Sequence, residues 1–559
     1  MACLRHLTIL ICLCKQLHLL ENQNQMKPVF ATAFLVVMLS FSTTYLFGQN
    51  YFACGPQTGT WQYDTVFVDC DVQVPAGALL QIMPGTKVIF RGYYSLQVQG
   101  SLKALGTAAD SIVFTVADTT GFGNIHSTTG GWNGLRFEFK PIASDSSLFS
   151  HCIFRYGKAA GDSSNCYGGA ARALQTDKIA FRHCSFVSNY AFYWGGAIYG
   201  YKTNVLVEHC RFVRNHAGND GMVYGYGGAL SYVSAEPDIR HCYFAYNSST
   251  GIGGAASFEY SRPLLMNSVF EHNFSALGGA VGFLRSVPNR PIANLLVRNN
   301  EAVFFGGGIA SITASPEMTN LTIVNNHAPM GGGYYCNYEA HAKLYNSILW
   351  GNTCYGDFGS QVWIWDVNSM PEFHHSVVQF GVQGFGGSTF IGVYNNCIES
   401  DPQFVDATGN NFRLQASSAA INTGTATLPS YILPETDLDD LPRNVNGSPD
   451  MGAFEYQGLV GLPTIAAPHL DLRVFPNPGG TAMRIILPEG VEGVIQLNIF
   501  LSDGRLLASF NNPAVRNGQI FIGELLQRRG IRIGEFILQT INFDRSQSVA
   551  RVFYQPSNR

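Results

Sequence analysis

The sequence predicts an all-β chain, a right-handed parallel β-helix solenoid followed by a small C-terminal β-sandwich. Three observations point there: a unit of about 26 residues that recurs, glycine and asparagine at fixed offsets inside it, and a composition short of charge. Glycine supplies 60 of 559 residues, and charged side chains make up 13%, near half the ~25% of ordinary soluble domains. Aromatic residues reach 13%, which with frequent Val, Ile and Thr reads as many short strands joined by tight turns. A chain of 559 residues is too long for one ordinary compact core, so a repeat has to carry the buried surface. The net charge of −4 and the lack of a Lys/Arg stripe exclude the electrostatic footprint of a nucleic-acid binder.

At the N-terminus, Met26 and Lys27 precede a mostly apolar run over 28–47 that ends in Phe47, Gly48 and Gln49. This is the pattern of a secretory signal, so residues 1–49 read as an over-extended start plus signal peptide, with translation beginning at Met26. Ser40, Ser42, Thr43 and Thr44 weaken the run as a membrane span, and no integral span is expected in the mature chain. Of 13 cysteines, Cys3, Cys12 and Cys14 precede Met26, leaving an even set in a chain bound for an oxidising compartment, where disulfides are permitted.

Residues 50–396 carry the repeat. Nine copies begin at His151, His183, His209, His241, Asn267, Asn294, Asn320, Asn346 and His375. Six positions on stand Asn189, Asn215, Asn247, Asn273, Asn300, Asn326 and Asn352, with Gly157 in the first copy. Glycine pairs follow, from Gly168-Gly169 and Gly195-Gly196 to Gly307-Gly308 and Gly332-Gly333. Such a period fits three strands and three turns of one coil, and coils stacked ~4.8 Å apart turn equal positions into columns. The asparagines then form a corner ladder of amides, tolerant of left-handed backbone, and the glycine pairs a second corner that needs positive φ. Alternation places Phe154, Phe186, Phe212, Phe244 and Phe270 inside with Cys152, Cys184, Cys210 and Cys242, and turns the histidines outward. The cysteine column admits rung-to-rung disulfides or buried thiols; thiols are favoured because parallel neighbours point side by side. A mid-ladder loss at Asn247 or Asn273 is expected to cost more than one at Asn352.

Insertions over 158–167 and 216–226 lie between the Asn and Gly-Gly columns, the edge that lines the working face in many solenoids. Tyr190, Tyr193, Trp194, Tyr224 and Tyr226 crowd that edge. If Val362 and Ile364 face inward, Trp363 and Trp365 stand outside, where aromatic rings stack on sugars. Packing against neighbouring loops competes with ligand binding at all seven. Glu236, Glu259, Glu271, Glu301, Glu317 and Glu339 fall at different offsets and form no acid/base column, so no catalytic residue is assigned. The outward histidines read as a stacked ladder rather than a metal site, and no cofactor is expected.

The Phe-x-x-Asn and Gly-Gly-Ala-aliphatic pairs (GGAI 195–198, GGAL 227–230, GGAV 278–281) resemble the repeats of polymorphic outer-membrane and adhesin-type β-helix proteins. VPAGALLQIMPGTKVIF (74–90), LQVQGSLKALGTAADSIVFT (96–115) and GGWNGLRF (130–137) are similar to the entry coils of bacterial right-handed β-helix surface proteins. Residues 397–456, with DPQFVDATGNNFRLQASSAAINTG (401–424), DLDDLPR (437–443) and PDMGAFEY (449–456), resemble a choice-of-anchor Q segment, except that Asp440 stands where that family usually has glycine. After a linker at 457–470, residues 471–559 with VFPNP (474–478), LNIFLSDGRLL (497–507) and GEFIL (534–538) are similar to the type A sorting domain of the type IX secretion system. These resemblances imply a secreted or cell-surface, adhesin-like protein, and with no acid/base column and with outward aromatics the expected role is non-catalytic and adhesin-like or glycan-binding. Its implied partners are the type IX machinery and glycans or a host or matrix surface. The rival expectation is a polysaccharide lyase or glycoside hydrolase working in the β-helix groove.

Overall fold

The computed structural model describes residues 50–138, 146–161, 165–220, 225–356 and 359–458, and beyond them strands within 473–554. The segment read as start and signal peptide, with Met26, lies outside the described residues, as does Tyr224. The chain divides into two compact units at Gly458/Leu459, within the stretch read as a linker.

The first unit is a long parallel solenoid. Six successive coils hold four strand positions rather than the expected three. In the coil that starts at His183 these are Ser185–Val187, Tyr190–Ala191, Ile198–Tyr201 and Val205–Glu208. Three of the positions stack into a sheet of 34 strands, and the two-residue position forms its own six-stranded sheet, beginning with Lys158–Ala159. Coil-to-coil pairing is parallel, and its register holds along the columns, as in Phe154↔Phe186↔Phe212↔Phe244↔Phe270. Those five rings stack inside with centroids 4.6 to 4.9 Å apart, the coil rise itself.

The corners explain the columns, with two departures from expectation. Left-handed backbone falls not on the ladder asparagines but on the residue before each, from Ser188 (φ 54°) and Arg214 (φ 55°) to Asn325 (φ 55°). It also falls on every repeat start, His151 (φ 48°) through His375 (φ 47°), which is why His and Asn occupy that column. The glycine corner takes its positive φ on the first glycine only, at Gly195 (φ 67°) or Gly227 (φ 64°). In the copies that begin at Asn294 and Asn320 that residue is Gly306 or Gly331, so the true pairs are Gly306-Gly307 and Gly331-Gly332, one residue earlier than the sequence pattern suggested. The second glycine is needed for space: a Cβ on Gly196 would sit 2.1 Å from the Gly228 carbonyl oxygen.

Between these corners the asparagines form a buried, continuous ladder. Asn189 Nδ2 donates to Asn215 Oδ1 (2.9 Å), and the pattern repeats through Asn247, Asn273, Asn300 and Asn326 to Asn352. Each Oδ1 also accepts the backbone N–H of the preceding rung, and each Nδ2 donates to a second acceptor, a carbonyl such as Phe154 O. The far end is not bare, because Asn352 Nδ2 donates to Gln361 Oε1 at 2.7 Å. Asn352 is therefore as fully bonded as a mid-ladder rung, contrary to the lower cost expected for its loss.

Cys152, Cys184, Cys210 and Cys242 are buried free thiols, and the disulfide of the described residues joins Cys54 to Cys70. Serine takes over the column further on, and the backbone N–H of Cys242 donates to Ser268 Oγ (3.1 Å) as that of Cys184 does to Cys210 Sγ (3.4 Å). We expect alkylation without reduction, followed by peptide mapping, to show a Cys54–Cys70 link and unlinked column cysteines reactive only after denaturation. A linked Cys152–Cys184 or Cys210–Cys242 peptide would contradict the column's packing.

Residues 397–456 run back along the solenoid as a strap, with one antiparallel pair, Phe404–Asp406 and Asn411–Leu414. The strap settles on the repeat-start column. Asn267 Nδ2 donates to Asp437 O, Asn294 Nδ2 to Thr436 O, Asn320 Nδ2 to Asp450 O and Asn346 Nδ2 to Thr425 O, all between 2.7 and 3.1 Å. The fifth to eighth copies thus hold the strap through their amides, and His375 meets it with Nδ1 3.1 Å from Thr423 O. Upstream the four imidazoles stack 4.7 to 4.9 Å apart, and the last of them, His241, meets the strap with Nδ1 3.5 Å from Asp440 Oδ1. Phe412, Ala453 and Phe454 pack on Leu296 and Val324, and Leu414, Ala420 and Met451 on Ile348 and Val377. Asp440 holds its turn in left-handed conformation (φ 61°), a geometry aspartate tolerates, so the turn stays tight without glycine.

A polar knot fixes the strap. Arg443 is fully buried and donates to Gly452 O (3.1 Å), Ala453 O (2.7 Å) and, on the solenoid, Asn294 Oδ1 (2.8 Å). Glu455 lies 3.6 Å from it, with Asp437 and Asp450 buried nearby and accepting backbone N–H groups. Burial pushes the Glu455 carboxyl up to about 7, above the ordinary 4.5. An acid raised on folding contributes stability that is fully present below its unfolded value and lost as pH rises through its folded value. Hydrogen exchange in 397–456, measured relative to the coils, should therefore slow as pH falls from about 8 toward about 5, after correction for intrinsic exchange. An unchanged ratio would show that Glu455 does not couple to strap closure.

The second unit contains two antiparallel sheets. Arg473–Phe475, Arg484–Ile486 and Gln519–Ile520 form one; Leu506–Asn511, Val494–Leu501, Gly534–Asn542 and Gln547–Tyr554 form the other, in that order. Ile485, Leu497, Ile499 and Ile520 are buried in it. No helix of the described residues is long and apolar enough to cross a membrane.

Candidate functional site

The described residues of the insertion edge are packed rather than open. Trp194 pairs with Tyr167 on one coil and Tyr226 on the next, and its ring lies parallel to that of Tyr226 with centroids 5.3 Å apart. Tyr190 is buried, donates through its hydroxyl to Gly218 O (2.9 Å) and stacks on His216. Burial also drives its phenol well above the ordinary range, which suits a structural hydroxyl. Tyr193 is half-buried between Tyr167 and Phe192. These rings close the corner that the two glycines leave thin, so the residues expected at a ligand surface serve mainly to cover backbone.

The second aromatic group is more open. Val362 and Ile364 point inward as the alternation required, and both are fully buried. Their neighbours have different surroundings. The Trp363 ring lies against Gly359 and Gly386, where a Cβ would approach it within 2.5 Å, and is half-buried. Trp365 is 47% exposed and meets Phe305 edge-on at 5.1 Å; Phe305 in turn stacks on Tyr335 at 4.7 Å. Phe304 (49% exposed) lies beside Phe305 with centroids 6.4 Å apart, and Tyr338 (62% exposed) is held next to the Trp365 strand by its backbone N–H donating to Asp366 Oδ2 (2.7 Å). The two tryptophans are thus not a matched pair of platforms: Trp365 is the ring presented to solvent.

Among charged groups, the fold gathers one cluster that the sequence offsets concealed. Glu236 and Asp238, two residues apart, line a cavity of about 380 Å³ with Arg290, Asn204, Val205 and Leu206. Glu236 pairs with Arg262, and Asp238 with Arg240 and Arg290, so both carboxylates are clamped by guanidinium groups. The Glu236-Pro237-Asp238 spacing was the available signal, but two of its arginine partners, Arg262 and Arg290, come from later coils. Lys158, also fully buried, is pushed down to about 8 by burial and gives its ammonium hydrogens to Gly121 O, Asn124 O and Thr129 O, which pins the loop before Trp132. Among the described residues no group of three or more His, Cys, Asp or Glu side chains is placed to hold a metal ion. No known family model matches the chain, and no curated protein is significantly similar to it.

Proposed function

We propose that this chain is a secreted or cell-surface β-helix protein with a non-catalytic, adhesin-like role in binding glycans, exported through the type IX secretion system. The observation that carries the glycan reading is the exposed aromatic patch of Phe304, Tyr338 and Trp365 on a rigid parallel scaffold. Aromatic faces held by stacked strands suit the apolar faces of sugar rings, and Phe305, itself stacked on Tyr335, packs edge-on against Trp365. The export reading is supported by the sequence motifs of 471–559 and by the separate folding unit they occupy. A glycan array probed with the purified protein tests the first part: the expected result is retention on a subset of glycans that falls at least tenfold in Trp365→Ala. Absence of retention on every glycan would overturn it. Fusing 471–559 to a periplasmic reporter in a host with type IX secretion tests the second, the expected result being reporter at the surface or in the medium.

The second reading, polysaccharide cleavage, draws on the Glu236/Asp238 cavity. Its expected signature is product formation abolished by Glu236→Gln or Asp238→Asn. Ion pairing of both carboxylates favours a structural network over an acid/base pair there.

A further inference from the structure

On the outward side of the glycine-corner face, two arginines lie in register on adjacent coils. Arg136 of Leu135–Glu138 pairs with Arg172 of Ala171–Leu174, and Gln97 occupies the same position one coil earlier. Both side chains are withdrawn from solvent, with Arg136 4% and Arg172 7% exposed. They flank a cavity of about 250 Å³ whose remaining polar wall is largely neutral: Gln97, Gln99, Asn133 and Asn165. Glu138 is the single carboxylate among the described residues of that wall, and it is joined to Arg172. Arg136 donates through Nη1 to Gly168 O (2.7 Å) and through Nη2 to Asn133 Oδ1 (2.6 Å), both neutral acceptors, while its buried Nε has no partner. Burial with the second guanidinium close by pushes Arg136 down to about 9, the mark of a cation whose environment supplies too little negative charge.

A buried guanidinium fork facing an amide-lined cavity is complementary to a planar carboxylate carried by a hydroxyl-rich ring. The volume lies just below the ~300–1,000 Å³ of pockets that enclose drug-sized ligands, which suits one sugar ring. We propose that this cavity binds the uronate residue of an acidic glycan, its carboxylate held between Arg136 and Arg172 and its hydroxyls by the amides of Gln97, Gln99 and Asn133. The inference rests on the glycan-binding reading and names its ligand class. The same wall has no feature that calls for a neutral sugar, since any neutral ring would leave the arginine excess unmet.

Calorimetric titration of the purified chain tests this with galacturonate and glucuronate trimers, their methyl esters, maltotriose and sodium sulfate. The expected result is that a uronate trimer binds at least tenfold more tightly than its methyl ester, which keeps the ring and removes the charge. Arg172→Gln should lose that preference, and Arg172→Lys, which keeps charge but not the fork, should recover part of it. Equal binding of acid and ester overturns the site even if a variant fails to fold, because it is measured on the unaltered chain. Sulfate that competes as well as the trimer also overturns it, by showing a simple anion site. Binding of maltotriose without uronate leaves glycan binding standing and removes this assignment, whereas silence of every sugar here and on the array removes both.

Discussion

Asn247→Ala is expected to destabilise the solenoid by about 3–5 kcal/mol and to loosen the two coils beside it first. The side chain makes four buried bonds: its Oδ1 accepts Asn215 N (3.0 Å) and Asn215 Nδ2 (2.9 Å), and its Nδ2 donates to Phe212 O (2.9 Å) and Asn273 Oδ1 (3.0 Å). Alanine removes all four and leaves two donors and one carbonyl of neighbouring coils buried without partners, each costing ~1–3 kcal/mol before relaxation. Because coils contact mainly their neighbours, the lesion should appear as lost hydrogen-exchange protection around 212–217 and 244–249 before global melting. Asn352→Ala should cost about as much, since Gln361 completes its bonding, while Asn189→Ala should cost less, since Gly157 offers its Oδ1 a backbone N–H and no amide side chain. Equal chemical denaturation midpoints for wild type and Asn247→Ala would show that the ladder does not support the fold.

Arg443→Met is expected to release the strap while leaving the coils intact. The substitution removes three hydrogen bonds and the cation beside Glu455, in a knot that also buries Asp437 and Asp450. Removing one partner of a buried ionic cluster costs ~3–5 kcal/mol, because the remaining charges stay desolvated. Limited proteolysis should then cut within 397–456 many times faster, with cleavage inside 150–380 unchanged. Equal cleavage of the strap in variant and wild type would mean that its apolar contacts alone hold it. Substituting Leu for Glu455 in the same background should restore part of the lost protection, by removing an unpaired carboxylate.

The columns were legible in the sequence because a solenoid writes each structural need once per coil. Phenylalanine inside, the asparagine ladder and a glycine corner each recur at a fixed offset, and the described structure places each in register. The positive-φ positions were misplaced because Asn suits both a left-handed residue and an amide ladder, and only backbone angles separate the two uses. The glycine register slipped in the copies that begin at Asn294 and Asn320 because three consecutive glycines, 306–308 and 331–333, leave the pair ambiguous in sequence. The fourth strand position was missed because two residues such as Tyr190–Ala191 carry no alternation to read.

The candidate sites were less legible for a related reason. Local alternation says that Trp363 and Trp365 leave the core, but not that Gly359 and Gly386 make a bed for one and not the other. The Arg136–Arg172 pair joins residues 36 apart in chain and adjacent in space, and the insertion over 158–167 breaks the period that would have aligned them. The change from His241 to Asn267 reads in the sequence as an interruption, and only the structure shows the strap's carbonyl accepting the Asn267 amide.

The most direct test of the functional account measures binding and chemistry in one sample. Purified protein is incubated with the glycans retained on the array and with acidic and neutral polysaccharides, and retention is scored beside reducing ends and unsaturated products. The expected result is retention that depends on Trp365, with chain length of the glycan unchanged after prolonged incubation. Accumulation of reducing ends or unsaturated sugars that disappears in Glu236→Gln would contradict it and make the chain an enzyme.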